Sequence, residues 1–149
     1  MTKQILLVDD EPHILRAAEI ILARSGFEVR SASNGQEGWE MILQQIPDLL
    51  VTDLQMPIMD GLELTRLVRE NPATADLPVL MLTARGLETS LGQQTSELKV
   101  LSVIPKPFSP RELVRCIEVA LGTKPIVCTA LPMVPPLATQ MASSPNTNL

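Results

Sequence analysis

The 149-residue chain has room for one domain with a substantial core, plus an appendage. Apolar residues make up 45% and charged residues 19%, a soluble globular composition, and the net charge of −5 offers no basic surface for direct nucleic-acid binding. Cys116 and Cys128 match neither a CxxC nor a metal-ligand spacing, so they fit a reducing cytosol better than a disulfide framework, and a cytoplasmic location is expected.

The opening "MTKQILLVDD" reaches paired acids after only four apolar residues, so it does not read as a signal peptide. Its apolar run, 5–8, predicts a first strand. Pro12 suits the first turn of a helix whose stripe is Ile14, Ala18, Ile21 and Leu22, with Gly26 after its end. A second strand is expected over 27–31, followed by a helix carrying Trp39, Ile42, Leu43 and Ile46. The run 49–52 reads as a buried third strand. It passes into "DLQMPIMDG", where Pro57 and the Asp60-Gly61 pair mark an irregular turn. Leu64, Leu67 and Val68 form the next helical stripe, and 79–82 the fourth strand. Residues 85–99 contain Gly86, Gly92 and several Gln, Thr and Ser, which predicts a short or mobile fourth helix. A fifth strand is expected over 100–104. Ser109-Pro110-Arg111-Glu112 is a capping box opening a last helix with Leu113, Ile117, Ala120 and Leu121.

Short strands alternating with helices predict an α/β fold: a five-stranded parallel sheet with helices on both faces. The runs 5–8, 49–52 and 79–82 are almost wholly apolar, as central strands should be, whereas 27–31 and 100–104 admit Glu28, Arg30 and Ser102 and suit the edges. The order 2-1-3-4-5 satisfies this pattern, with a switch point between strands one and three. This domain is assigned residues 1–122. Residues 123–149 read as a flexible tail or linker stub. From Pro125 onward the chain has no charged residue, but Pro125, Pro132, Pro135, Pro136 and Pro145 argue against a membrane-spanning helix.

The carboxyl ends of the strands carry polar residues: Asp9-Asp10 after the first, Asp53 after the third, Thr83 after the fourth and Lys106 after the fifth. In open α/β sheets the ligand crevice lies outside those ends, so the five are expected to converge. Three neighbouring carboxylates need a cation to remain ionised, and an all-oxygen donor set without histidine or thiolate selects a hard ion, Mg²⁺. A carboxylate can also attack phosphorus to give an aspartyl-phosphate, with a lysine ammonium and a threonine hydroxyl to receive phosphate oxygens.

The motifs "VDDEP", "DLQMPIMDG", "LTA" and "KPF", at this spacing over residues 3 to about 121, resemble the receiver domain of two-component response regulators, the flavodoxin-like chemotaxis-regulator fold. The resemblance implies that Asp53 is the phospho-acceptor, supplied by a sensor histidine kinase or phosphotransfer protein. It implies Mg²⁺ on Asp10, Asp53 and the main-chain carbonyl of Gln55, with Asp9 assisting. Lys106 would pair with the phosphoryl group, Thr83 would move toward it, and the Lys106–Pro107 peptide would be cis. The output would pass through the face from strand four to helix five, to an unknown output protein or domain. The chain would then be no enzyme beyond its own phosphoryl transfer and autodephosphorylation. Gln55 and Arg85, two positions past the acceptor and the threonine, would border the phosphoryl group.

One departure concerns Val103, where receivers usually carry Tyr or Phe. Two other readings stay open on the sequence. One is a phosphorylation-independent interaction module, to which Val103 leaves room. The other is a Mg²⁺-dependent aspartyl-phosphate phosphatase, which would want an acid-base carboxylate where Gln55 stands. The sole histidine, His13, reads as a solvated helix residue, and Asp60 as a turn residue.

Overall fold

The computed structural model describes residues 2–84 and 92–122. Five strands, β1 (Gln4–Val8), β2 (Glu28–Ala32), β3 (Leu49–Asp53), β4 (Val79–Ala84) and β5 (Ser102–Lys106), alternate with helices α1 (Pro12–Arg24), α2 (Gly35–Gln44), α3 (Gly61–Glu70), α4 (Gly92–Glu97) and α5 (Pro110–Ala120). All neighbouring strands pair in parallel, in the order β2-β1-β3-β4-β5. The expected sheet is therefore the observed one, with its switch point between β1 and β3.

Alternation along the central strands divides the core in two. Ile5, Leu7, Leu49, Val51, Leu80, Leu82 and Ile104 pack on one face against Ala18 and Leu22 of α1 and Leu113, Cys116 and Ile117 of α5. Leu6, Val8, Leu50, Val79, Met81 and Val103 pack on the other against Ile42 of α2 and Leu64 and Val68 of α3. β3 is buried at every position, as a strand covered on both faces must be.

Local chemistry sets the helix boundaries. Asn34 caps α2 through the Glu37 amide, and Pro12 opens α1. Ser109 and Glu112 form the expected capping box. Asp60 is more than a turn residue: its side chain accepts from the Glu63 amide and caps α3. α4 has six residues, and among them only Thr95 is buried.

β5 begins two residues later than expected and runs through Pro105 to Lys106. Val100 is buried but lies before the strand, which is why the apolar run misplaced its start. A proline is tolerated because β5 is an edge strand with one unpaired side. Ser102, expected to mark the edge, is fully buried, and its hydroxyl has no hydrogen-bond partner among the described residues. The Lys106–Pro107 peptide is cis. Arg85 and the stretch 123–149 lie outside the described residues.

Candidate functional site

β1 and β3 are hydrogen-bonded neighbours, so the acids that end them stand side by side. Asp53 closes β3 and Asp9 follows β1, its amide continuing the ladder to Ala32 O at 3.1 Å. Asp9 and Asp53 are buried and Asp10 is exposed, and oxygens of all three lie within 4.8 Å of one another. Lys106 belongs to β5, two strands from β3, so its backbone is about 10 Å away at ordinary strand spacing. The four-carbon stem spans that gap. Lys106 Nζ stands 3.0 Å from Asp9 Oδ2, 3.2 Å from Asp53 Oδ1 and 2.8 Å from Glu11 Oε1.

The shared side of the sheet follows from alternation. Leu7 and Asp9, Val51 and Asp53, and Ile104 and Lys106 are two residues apart, and the apolar member of each pair packs toward α1 and α5. Thr83 is two residues from Met81 and falls on the opposite side. It is buried, its hydroxyl donates weakly to Ala84 O at 3.4 Å, and it does not line the cleft. The structure thus brings Asp9, Asp10, Asp53 and Lys106 together and leaves the Thr83 hydroxyl behind them.

A cleft of about 770 Å³ opens over the acids. Asp10, Glu11, Asp53, Gln55 and Lys106 form its polar end, while Ile14, Ala17 and Ala18 of α1 and Phe108 extend it as an apolar wall. His13 borders it from the exposed side of α1. The loop after Asp53 turns sharply at Ile58, which has φ 74 and is 76% exposed.

Burial pushes the Asp53 carboxyl up to about 6, helped by the charge of Asp9 and opposed by Lys106. Burial likewise raises Asp9, although the Glu11 amide at 3.0 Å and Lys106 stabilise its charge. Burial alone would lower Lys106, but Glu11 and Asp9 more than reverse it and hold the ammonium firmly protonated. The hydrogen bond from Lys106 draws Glu11 below the ordinary carboxylate range. Asp9 and Asp53 therefore resist ionising together without a cation.

These residues fit Mg²⁺. The donors are all oxygen, and Asp9 Oδ2 is sealed from solvent; among the described residues it has an ionic contact with Lys106 but no hydrogen bond of good geometry. Sequence reasoning missed Glu11. Its signal was available: an acid directly after Asp10, in the N-cap position of a helix that begins with proline.

Comparison with known proteins agrees with this fold. Residues 5–118 match the family model of the response regulator receiver domain. The chain is 40% identical over 121 residues to the transcriptional regulatory protein SrrA of Staphylococcus aureus, an alignment covering 81% of this chain and 48% of that protein. The chain thus spans about half the length of such curated relatives. A putative response regulator from Chloroflexus aurantiacus J-10-fl superposes with a TM-score of 0.76 at 36% identity, covering 82% of this chain and 99% of that one. The chemotaxis response regulator CheY4 of Vibrio cholerae also gives 0.76, at 27% identity over 80% of this chain and 99% of its own.

Proposed function

Since the chain belongs to the response regulator receiver domain family of two-component signalling, we propose that Asp53 accepts a phosphoryl group from the histidine of a sensor kinase or phosphotransfer protein. The observation that carries this reading is the Asp53–Lys106 contact of 3.2 Å inside a cluster of three carboxylates. An Asp53 oxygen attacks phosphorus, an O–P bond forms, and the N–P bond to the donor imidazole breaks with its electron pair leaving on nitrogen. Lys106 holds the oxygens of the transferred group, and the apolar wall of the cleft limits water around it.

Asp10, Asp53 and, by resemblance, the main-chain carbonyl of Gln55 would hold Mg²⁺, with Asp9 assisting. The ion would supply positive charge that lets the carboxylates ionise together and offsets charge developing on the phosphoryl oxygens. Thr83 would then move toward the phosphoryl group from behind the acids, carrying the change to the face between β4 and α5. The partner reading it would be an output protein or an output domain.

We assign the phosphoryl chemistry to residues 1–122 and none of it to the uncharged, proline-rich stretch from 123. No helix among the described residues is long and apolar enough to cross a membrane. Incubation with acetyl phosphate and Mg²⁺ followed by intact mass should show one added phosphoryl group, abolished in Asp53→Asn. An unchanged wild-type mass at saturating donor would contradict the proposal.

A further inference from the structure

Glu11 makes the shortest of the three contacts to Lys106, at 2.8 Å, and it is the only one of those three partners outside the cluster suited to the cation. An ammonium has three donor hydrogens, and here three carboxylates surround it. The Glu11 side chain is free for this contact because it makes no capping bond, although Glu11 occupies the N-cap of α1. Its backbone is tied down: the amide donates to Asp9 Oδ1 at 3.0 Å, and Pro12 fixes the next φ. Only rotation of the side chain, which is 44% exposed, can withdraw the carboxylate.

A phosphoryl group on Asp53 must find a donor on Lys106. With Asp9 and Asp53 engaged by a cation, Glu11 remains as the competitor for the ammonium. It also lines the cleft by which a phosphodonor enters, where its charge opposes an anion. On the reading that Asp53 is the acceptor, we infer that Glu11 is a latch: a positioning residue that parks Lys106 in the unphosphorylated state and must release it for phosphoryl transfer. The rate of phosphorylation is therefore set partly by the Glu11–Lys106 pair and not by the acid cluster alone.

The test compares the full 149-residue chain with Glu11→Gln and Glu11→Asp. The pseudo-first-order rate of phosphoryl uptake from acetyl phosphate is measured at saturating Mg²⁺, so that altered metal affinity does not enter. Glu11→Gln removes the ionic contact and should speed uptake roughly two- to fivefold, the scale of a partly exposed ion pair. Glu11→Asp keeps the charge but withdraws it by one methylene from the ammonium, which lengthens the 2.8 Å contact, so it should be fast as well. Thermal melts check that both variants fold. A Gln variant no faster than the wild type would overturn the latch. A fast Gln variant with a slow Asp variant would replace it with simple repulsion of the donor. Failure of the wild type itself to label would remove the acceptor reading along with the latch, a result distinct from equal, measurable rates.

Discussion

Gly61 packs its bare Cα against the carbonyl oxygen of Asp53, and a methyl group placed there would overlap that oxygen and crowd the backbone of Leu54. The Gly61 amide donates to Leu54 O at 2.8 Å, so the first turn of α3 lies directly on the end of β3. The glycine after Asp60 is thus a requirement of close approach, which seats the start of α3 against the backbone of Asp53.

Gly61→Ala should therefore destabilise the fold by roughly 1–3 kcal/mol, the usual penalty of overpacking a tight contact, and slow phosphoryl uptake by displacing Asp53. Urea unfolding and acetyl phosphate kinetics measure the two effects. Stability within about 0.5 kcal/mol of the wild type, with unchanged uptake, would mean that the contact relaxes freely.

Asp53 is raised from 3.8 to about 6 by burial and by Asp9. Because the folded value exceeds the unfolded one, ionising Asp53 weakens the metal-free fold. That share of stability is fully present below about pH 4 and is lost as pH rises through about 6. In EDTA at about pH 8, Asp53→Asn should be the more stable protein by up to about 3 kcal/mol, and the gap should close on acidification. Urea midpoints across pH check this, and a variant less stable than the wild type at about pH 8 would contradict it.

Gln55 is exposed and lines the cleft beside Asp53, where it can screen or orient attacking water. Gln55→Ala should change the lifetime of the phosphorylated form by more than about twofold, read as the decay of the phosphorylated mass after donor removal. A lifetime within that range would leave Gln55 without a role in hydrolysis.

Val103 is buried beside Met81 across β4 and β5, and Thr83 faces Pro105 two residues further along. A β-branched side chain packed at this position is stiff at χ1 and too small to exchange buried and exposed positions. Nearby, α4 is short and buries little, and the Arg69 guanidinium holds the carbonyls of Leu98 and Lys99 at 2.7 and 3.2 Å. Beryllofluoride with Mg²⁺ should therefore alter hydrogen exchange more in residues 92–97, ahead of that anchor, than at Val103. Equal or larger change at Val103 would place the switch in β5, and an Asp53→Asn control separates switching from metal binding.

The sheet was legible because burial on both faces writes continuous apolar runs, and 5–8, 49–52 and 79–82 are such runs. The acids were legible because strand order brings the ends of β1 and β3 together. The start of β5 was not, since a buried Val100 before a strand looks like part of it. Thr83 could have been separated from Asp53 by counting: Met81 and Thr83 share one face, Leu82 and Ala84 the other. The Asp60 cap was written in the spacing from Asp60 to Glu63, but the neighbouring glycine favoured a turn. Glu11 carried a local signal in its place directly after Asp10, but its partner is 95 residues away, and only the fold identifies that partner as Lys106.

The central claim is that the acyl phosphate forms on Asp53 and nowhere else. Borohydride reduces an acyl phosphate to the alcohol, so an Asp53 phosphoryl group becomes a homoserine at position 53. Reductive trapping after incubation with acetyl phosphate and Mg²⁺, followed by peptide mass mapping, should find that conversion at residue 53, absent without Mg²⁺. Conversion at Asp9 or Asp10 instead, or labelling with Asp53 unmodified, would contradict the account.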